Sequence, residues 1–254
     1  MTAVDVVAPE RAGLTDATRR TARVTGAWYL GLALTGMLGF LLLRPMFAGD
    51  DGVETAINLT DIPLRTLVFL GLELGVVATQ ALAAVYFYKL FRGLNPVAAW
   101  ATAAFGMANA LAILGSAAML VTATAVADDA TLAPGGDVWS TVALLWESAD
   151  AFWAVGALFF GLWLIPMGHV AKTSGRFPSV LGWLLIVGGA GYVLSAFLGL
   201  VEGAVPSWIV EAVAMPATVA EFWMIGYLLI VGIRPDVSVP APIPSQAKTE
   251  EVAR

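Results

Sequence analysis

Apolar residues along the chain gather into six blocks separated by short polar links, at 24–43, 66–88, 97–123, 139–165, 180–200 and 215–233. A helix needs about 20 such residues to cross a hydrocarbon core roughly 30 Å thick. The pattern therefore predicts an all-α polytopic membrane protein, a bundle of six transmembrane helices over 24–233. A polar leader, 1–23, precedes it. The tail, 234–254, is rich in Pro, Ser and Ala, has no apolar period, and is expected to be disordered. The first block exceeds the usual signal-peptide core of about 7–15 residues, and the chain runs on as RPMFAGDD with no small-x-small cleavage site, so it reads as a retained helix. Pro206 and Pro216 interrupt the approach to the last block, where SWIVEAVA is expected to form a short interfacial helix.

Composition agrees with that class. Hydrophobic residues make up 59% of the 254 positions and charged ones 13%, with a mean hydropathy of +0.83, against about 25% charged in soluble domains. The net charge of −6 speaks against nucleic acid, but it averages over two sides of a membrane. Counted by link, the leader, KLFRGLNP, HVAKTSGRFP and the tail hold eleven of the thirteen Lys and Arg, leaving Arg44 and Arg65. The positive-inside rule makes those four segments cytoplasmic, with both termini inside a bacterial cytoplasmic membrane. The other loops are acidic, with Asp50, Asp51, Glu54 and Asp61, then Asp128, Asp129 and Asp137, then Glu202 and Glu211. In the first of them Val53, Ile57 and Leu64 fall near helical spacing, which suggests a segment lying on the membrane surface.

Several chemistries lack their residues. There is no cysteine, hence no disulfide, thiolate or sulfur-ligated metal. His169, the single histidine, is expected in a cytoplasmic turn; haem held by two histidines and histidine-bound zinc have no ligand set. No lysine lies within a block, so a retinal Schiff base has no anchor, and no GxxxxGK[ST] phosphate loop exists. No cofactor and no catalytic residue is assigned. An all-carboxylate hard-cation site stays open, although oxygen ligation usually takes six or more donors.

Small residues recur every four positions at Ala27, Gly31, Thr35 and Gly39, and again at Gly191, Ser195 and Gly199. Such faces let backbones approach in lipid, within one chain or between two copies in a homo-oligomer. Thr102, Asn109 and Ser116 recur every seven residues and form a polar stripe expected to face the bundle interior.

Four acids remain inside the blocks, Glu73, Glu147, Asp150 and Glu221, all on the second, fourth and sixth, and all in the expected outer half. Glu147 and Asp150 fall close to the outer interface. Either the N-terminal partial charge of their helix holds them in its first turns beside Trp139, Trp146 and Trp153, or their i, i+3 spacing aims both at one cavity. Glu73 and Glu221 lie roughly 20 to 24 Å above the inner boundary. A carboxylate at such depth costs about 2.5–3.5 kcal/mol on insertion scales, so it is protonated, paired with Arg44, Arg65 or Asn109, or functional. Gln80 shares the Glu73 face.

Glu73, Gln80, Asn109, Glu147, Asp150 and Glu221 are thus the candidate polar pocket. The preferred reading is a non-enzymatic membrane module, surrounded by membrane lipids, that binds a lipid head group, small molecule or partner helix. The alternatives are a proton- or cation-coupled small-molecule transporter and a membrane enzyme using paired carboxylates.

The line DAFWAVGALFFGLWLIPMGHVAKTSGRFPSVLGWLLIVGGAGYV resembles an uncharacterised bacterial multi-pass family, domain of unknown function 4386. The likeness rests on Asp150, Phe159, Phe160, Gly161, Gly168, Lys172, Ser174, Gly175, Pro178, Leu181, Gly182, Gly191 and Tyr192. RVTGAWYLG and ATVAEFWMIGYLLIVG extend it over about 20–234. Some relatives place a histidine beside the fourth-helix acid, where this chain has Ala149 and Phe152 around Asp150. The resemblance implies a six-helix membrane domain and carries over no catalytic residue.

Overall fold

The computed structural model describes residues 3–201 and 206–234, those up to 16 and Ser207 by backbone alone. The expected disordered tail and Glu202 lie outside the described residues. Among the described residues seven α-helices follow in order: α1 (Ala3–Gly36), α2 (Gly52–Asp61), α3 (Pro63–Phe91), α4 (Pro96–Asp128), α5 (Val138–Thr173), α6 (Ser179–Gly199) and α7 (Ser207–Ile230). All except the short α2 are long and apolar enough to cross a membrane, the first such span running Ala17–Met46. Helix α1 begins within the segment read as the polar leader.

Each spanning helix packs on its neighbour in the chain, and α1 closes the circuit on α7, giving a ring of six. Two apolar clusters fill it. The larger includes Tyr29, Phe87, Trp163 and Leu228, and the smaller, under α2, includes Phe47, Phe69, Trp146 and Val142. The ends of the bundle differ in charge, one carrying the acidic loops and the other Lys89, Arg92, Lys172 and Arg176. At the acidic end α4 and α5, 33 and 36 residues long, rise about 50 Å, well past a hydrocarbon core, and α2 packs against both. Asp51 caps α2 by accepting from the amides of Val53 and Glu54. Val53 and Ile57 stay exposed while Ala56 and Leu59 are buried, so this segment covers the bundle as well as presenting an apolar face outward. Hydrogen bonds from Thr131 hold the Asp129 carboxyl below the usual carboxylate range, and those from Ser140 do the same for Asp137, the N-cap of α5.

Two expectations need correction. The SWIVEAVA segment is no separate interfacial helix; α7 is continuous from Ser207 with Pro216 inside it, a break that neighbouring helices make tolerable in a membrane. His169 lies not in a turn but on the last turns of α5, on its exposed side. The first span is not uniformly α-helical, since Met37–Leu43 widens into a π-helical turn.

The small residues mark where helices meet closely. A Cβ on Gly31 would lie 3.0 Å from Thr79, and one on Gly75 3.0 Å from Thr35, so α1 and α3 interlock. Between α5 and α6 the fit is reciprocal. A Cβ on Gly161 would meet the Gly189 carbonyl oxygen at 2.5 Å and one on Gly189 the Gly161 oxygen at 2.7 Å; Gly168 and Gly182 repeat this at 2.6 and 2.8 Å. Backbone stands directly on backbone here, with no room for a side chain between them. On the other side of α6, Gly191 abuts the Val213 carbonyl. Gly31, Thr35, Gly191 and Ser195 thus pack within the chain, while Ala27 and Gly199 of the same faces stay exposed.

Candidate functional site

The polar stripe on α4 faces inward, with Thr102, Asn109 and Ser116 all buried. The four acids do not converge on one pocket. They divide three ways: Glu73 and Asp150 share Arg44, Glu221 meets Tyr29, and Glu147 is exposed.

Glu73 and Asp150 meet on one guanidinium. After the π-helical turn the chain tightens over Arg44–Met46, and Arg44 swings inward to 5% exposure while Leu41 and Leu42 just before it stay 59% exposed. Its Nη1 donates to Glu73 Oε1 at 3.0 Å and its Nε to Asp150 Oδ1 at 2.7 Å. Nη2 also lies 2.6 Å from Asp150 Oδ1, as an ion pair without hydrogen-bond alignment. Trp153 donates from Nε1 to the other Glu73 oxygen at 3.2 Å. The cation sits 5.2 Å from the Trp146 ring and 5.7 Å from that of Phe40. Glu73 is 1% exposed, between Phe69 of one apolar cluster and Val76 of the other. A charge so placed persists only because it is paired and hydrogen-bonded. The triad ties α1, α3 and α5 together.

The expectation that a helix terminus holds Asp150 fails on geometry. Helix α5 begins at Val138, capped by Asp137, so Asp150 lies three turns in, about 18 Å along the axis. Glu147, on the same helix, is exposed and does not share a cavity with Asp150. Gln80 and Asn109 are fully buried, in α3 and α4. A Cβ on Gly106 would lie 3.2 Å from Gln80 Nε2, and one on Gly156 3.5 Å from Asn109 Oδ1. Among the described residues, the amide atoms of both, with Ser116 Oγ and Trp163 Nε1, have no hydrogen-bond partner.

Glu221 is elsewhere again, on the α1 side of α7. Its Oε1 accepts from the Tyr29 hydroxyl at 2.7 Å, and among the described residues no Lys or Arg pairs with it. Both side chains line a cavity of about 210 Å³ between α1 and α7, walled by Gly36, Phe40, Trp153, Phe160, Tyr192 and Thr218, with Met37, Leu41 and Phe222 at its edge. The rings form a continuous lining: Phe40 to Trp153 is 4.5 Å between centroids, Trp153 to Phe160 6.5 Å, and Phe160 to Tyr192 6.0 Å. Trp153 is shared, its ring in this wall and its N–H on Glu73. Edge residues Leu41 and Phe222 are 59% and 47% exposed, so the cavity opens sideways into the region that a bilayer would occupy.

Tyr29 carried no signal in the sequence; a lone tyrosine in an apolar block reads as packing. Arg44 was one of three named partners for a buried acid, and only the inward swing after the wide turn selects it. Among the described residues no group of three or more His, Cys, Asp or Glu is placed to hold a metal ion, and the four acids do not form the hard-cation site left open above.

A family model, Domain of unknown function (DUF4386), matches residues 24–232. No curated protein and no solved structure matches.

Proposed function

The chain belongs to the family described as Domain of unknown function (DUF4386), and since that membership assigns no activity, we propose from the site alone that it is a non-enzymatic binding module of the membrane, whose cavity between α1 and α7 takes a small amphiphile from the bilayer. The observation that carries this reading is the combination of a sideways opening with one hydrogen-bonded carboxylate inside an aromatic wall. The volume, about 210 Å³, exceeds the roughly 150 Å³ that suffices for benzene in an engineered cavity. The charge distribution along the chain supports placing the basic end in the cytoplasm, which puts the cavity in the half of the bilayer away from it. Glu73 and Asp150 serve architecture in this reading, because Arg44 engages both.

Gly36 offers a test. It lies on the cavity wall, and a Cβ there would meet nothing within 4 Å. Gly36→Leu is expected to fill the cavity without disturbing the fold. Native mass spectrometry of protein extracted in mild detergent should find small molecules bound to the native chain and absent from Gly36→Leu, with an unchanged melting temperature. Identical adducts on both proteins would overturn the reading.

Proton- or cation-coupled transport remains as a second reading, and the unpartnered atoms of Gln80, Asn109 and Ser116 favour it, since buried polar groups of that kind usually hold ordered water. In sealed proteoliposomes that reading expects a flux which Asn109→Leu abolishes while the protein stays folded. The binding-module reading expects none in either protein.

A further inference from the structure

We propose that the cavity between α1 and α7 is an organic-cation site, taking an ammonium group at Glu221 with its hydrocarbon chain leaving between the two helices. The inference deepens the binding-module reading and rests on it.

Four observations support it. First, Glu221 has an acceptor to spare: Tyr29 donates to Oε1, and among the described residues nothing donates to Oε2. Second, no cation neutralises it. Arg44, whose guanidinium stands 5.7 Å from the Phe40 ring of this wall, is held by Glu73 and Asp150, and the wall itself contains no Lys, Arg or His. An anionic head group would meet a carboxylate with nothing to offset it. Third, Tyr29, Phe40, Trp153, Phe160, Tyr192 and Phe222 are among the residues lining the cavity, and an aromatic ring attracts a cation held over its face within about 6 Å of the centroid while discriminating against a neutral group of the same shape. The Trp153 N–H is already engaged by Glu73, which leaves that residue its ring to offer. Fourth, the edge is apolar and exposed at Leu41 and Phe222, so an attached chain would pass into hydrocarbon without burying a polar atom. A carboxylate for the nitrogen, aromatic faces for its methyl or methylene shell and a lateral exit together fit an amine or quaternary ammonium amphiphile.

The same chemistry could come from a free cationic amphiphile or from the ammonium head of a phospholipid, and the test separates them. The chain has no cysteine, so Leu41→Cys gives a unique site for a fluorine label at the cavity edge. In nanodiscs made only of phosphatidylglycerol, decylammonium, whose N–H groups can reach Glu221 Oε2, is expected to shift the ¹⁹F resonance saturably, with decanol and decyl sulfate binding more weakly by about tenfold or more, the scale of one charge-assisted contact. Glu221→Gln should remove that preference, whereas Glu221→Asp, which keeps the charge, should retain part of it and so controls for misfolding. Phosphatidylethanolamine added to the discs should compete if a lipid head is the natural occupant, and leave the titration unchanged if a free amphiphile is. Equal binding of all three compounds, unaffected by Glu221→Gln, would overturn the cation assignment while leaving the binding module standing. No binding by any of them would overturn both.

Discussion

Arg44→Met is expected to destabilise the folded protein by about 3–5 kcal/mol, the usual loss when one partner of a buried ion pair is removed. The change leaves Glu73, at 1% exposure, with the Trp153 N–H as its one remaining donor. Asp150 is not stranded in the same way, its side chain being 44% exposed, so most of the loss belongs to Glu73. A graded series follows. Asp150→Asn should cost about 1 kcal/mol, in the range of a single hydrogen bond, and the double change Arg44→Met with Glu73→Met should recover much of the single-variant loss, because apolar replacement of a whole buried ion cluster is often close to neutral. Reversible denaturant unfolding in mixed micelles measures all three. A single Arg44→Met variant as stable as the native chain would show that the triad holds nothing together.

The second large effect belongs to the seam between α5 and α6. Gly161→Leu and Gly168→Leu should each destabilise by at least the roughly 1–3 kcal/mol of an overpacked core position. The obstruction is a backbone carbonyl at 2.5 or 2.6 Å from the first added carbon, which no rotamer change can relieve. The helices would have to separate. Gly226→Ala is the control: it is also within a spanning helix, but a Cβ there meets nothing within 4 Å, and the better helix propensity of alanine should leave stability unchanged or raise it by up to about 1 kcal/mol. Melting temperatures of the three variants decide the matter. Loss at Gly226 as great as at Gly161 would mean that glycine matters here for reasons other than close approach.

The spans were legible because hydropathy answers directly to burial in lipid. The inward stripe of Thr102, Asn109 and Ser116 was legible for a related reason: an amide has few places to go in hydrocarbon. Gly161, Gly168 and Gly182 stood out as shared with a family, and their pairing across α5 and α6 supplies the physical cause. The division of the acids was not legible. Spacing along one helix tells which side chains share a face, as for Glu147 and Asp150, but not which neighbour that face meets, and the four acids belong to three helices with different neighbours. Counting from the basic end also assumed helices about as long as the membrane is thick. Helix α5 overshoots that length, so Asp150 is deeper in its helix than the first turns. The π-helical turn had no sequence marker at all, and the burial of Arg44 depends on it.

The ring closes between its first and last spans, and that is where the aromatic cavity lies. During synthesis the helices enter the membrane in order, so the Tyr29 ring finds Phe87 and Trp163 with the earlier spans, while its hydroxyl waits for a carboxylate that arrives only with the sixth. A nascent chain with five spans inserted has its Arg44 triad complete, because α1, α3 and α5 are already present, but no cavity. The order of insertion therefore brings the Arg44 triad together before the cavity exists, and a ribosome that stalls before α7 leaves the ring open along one side.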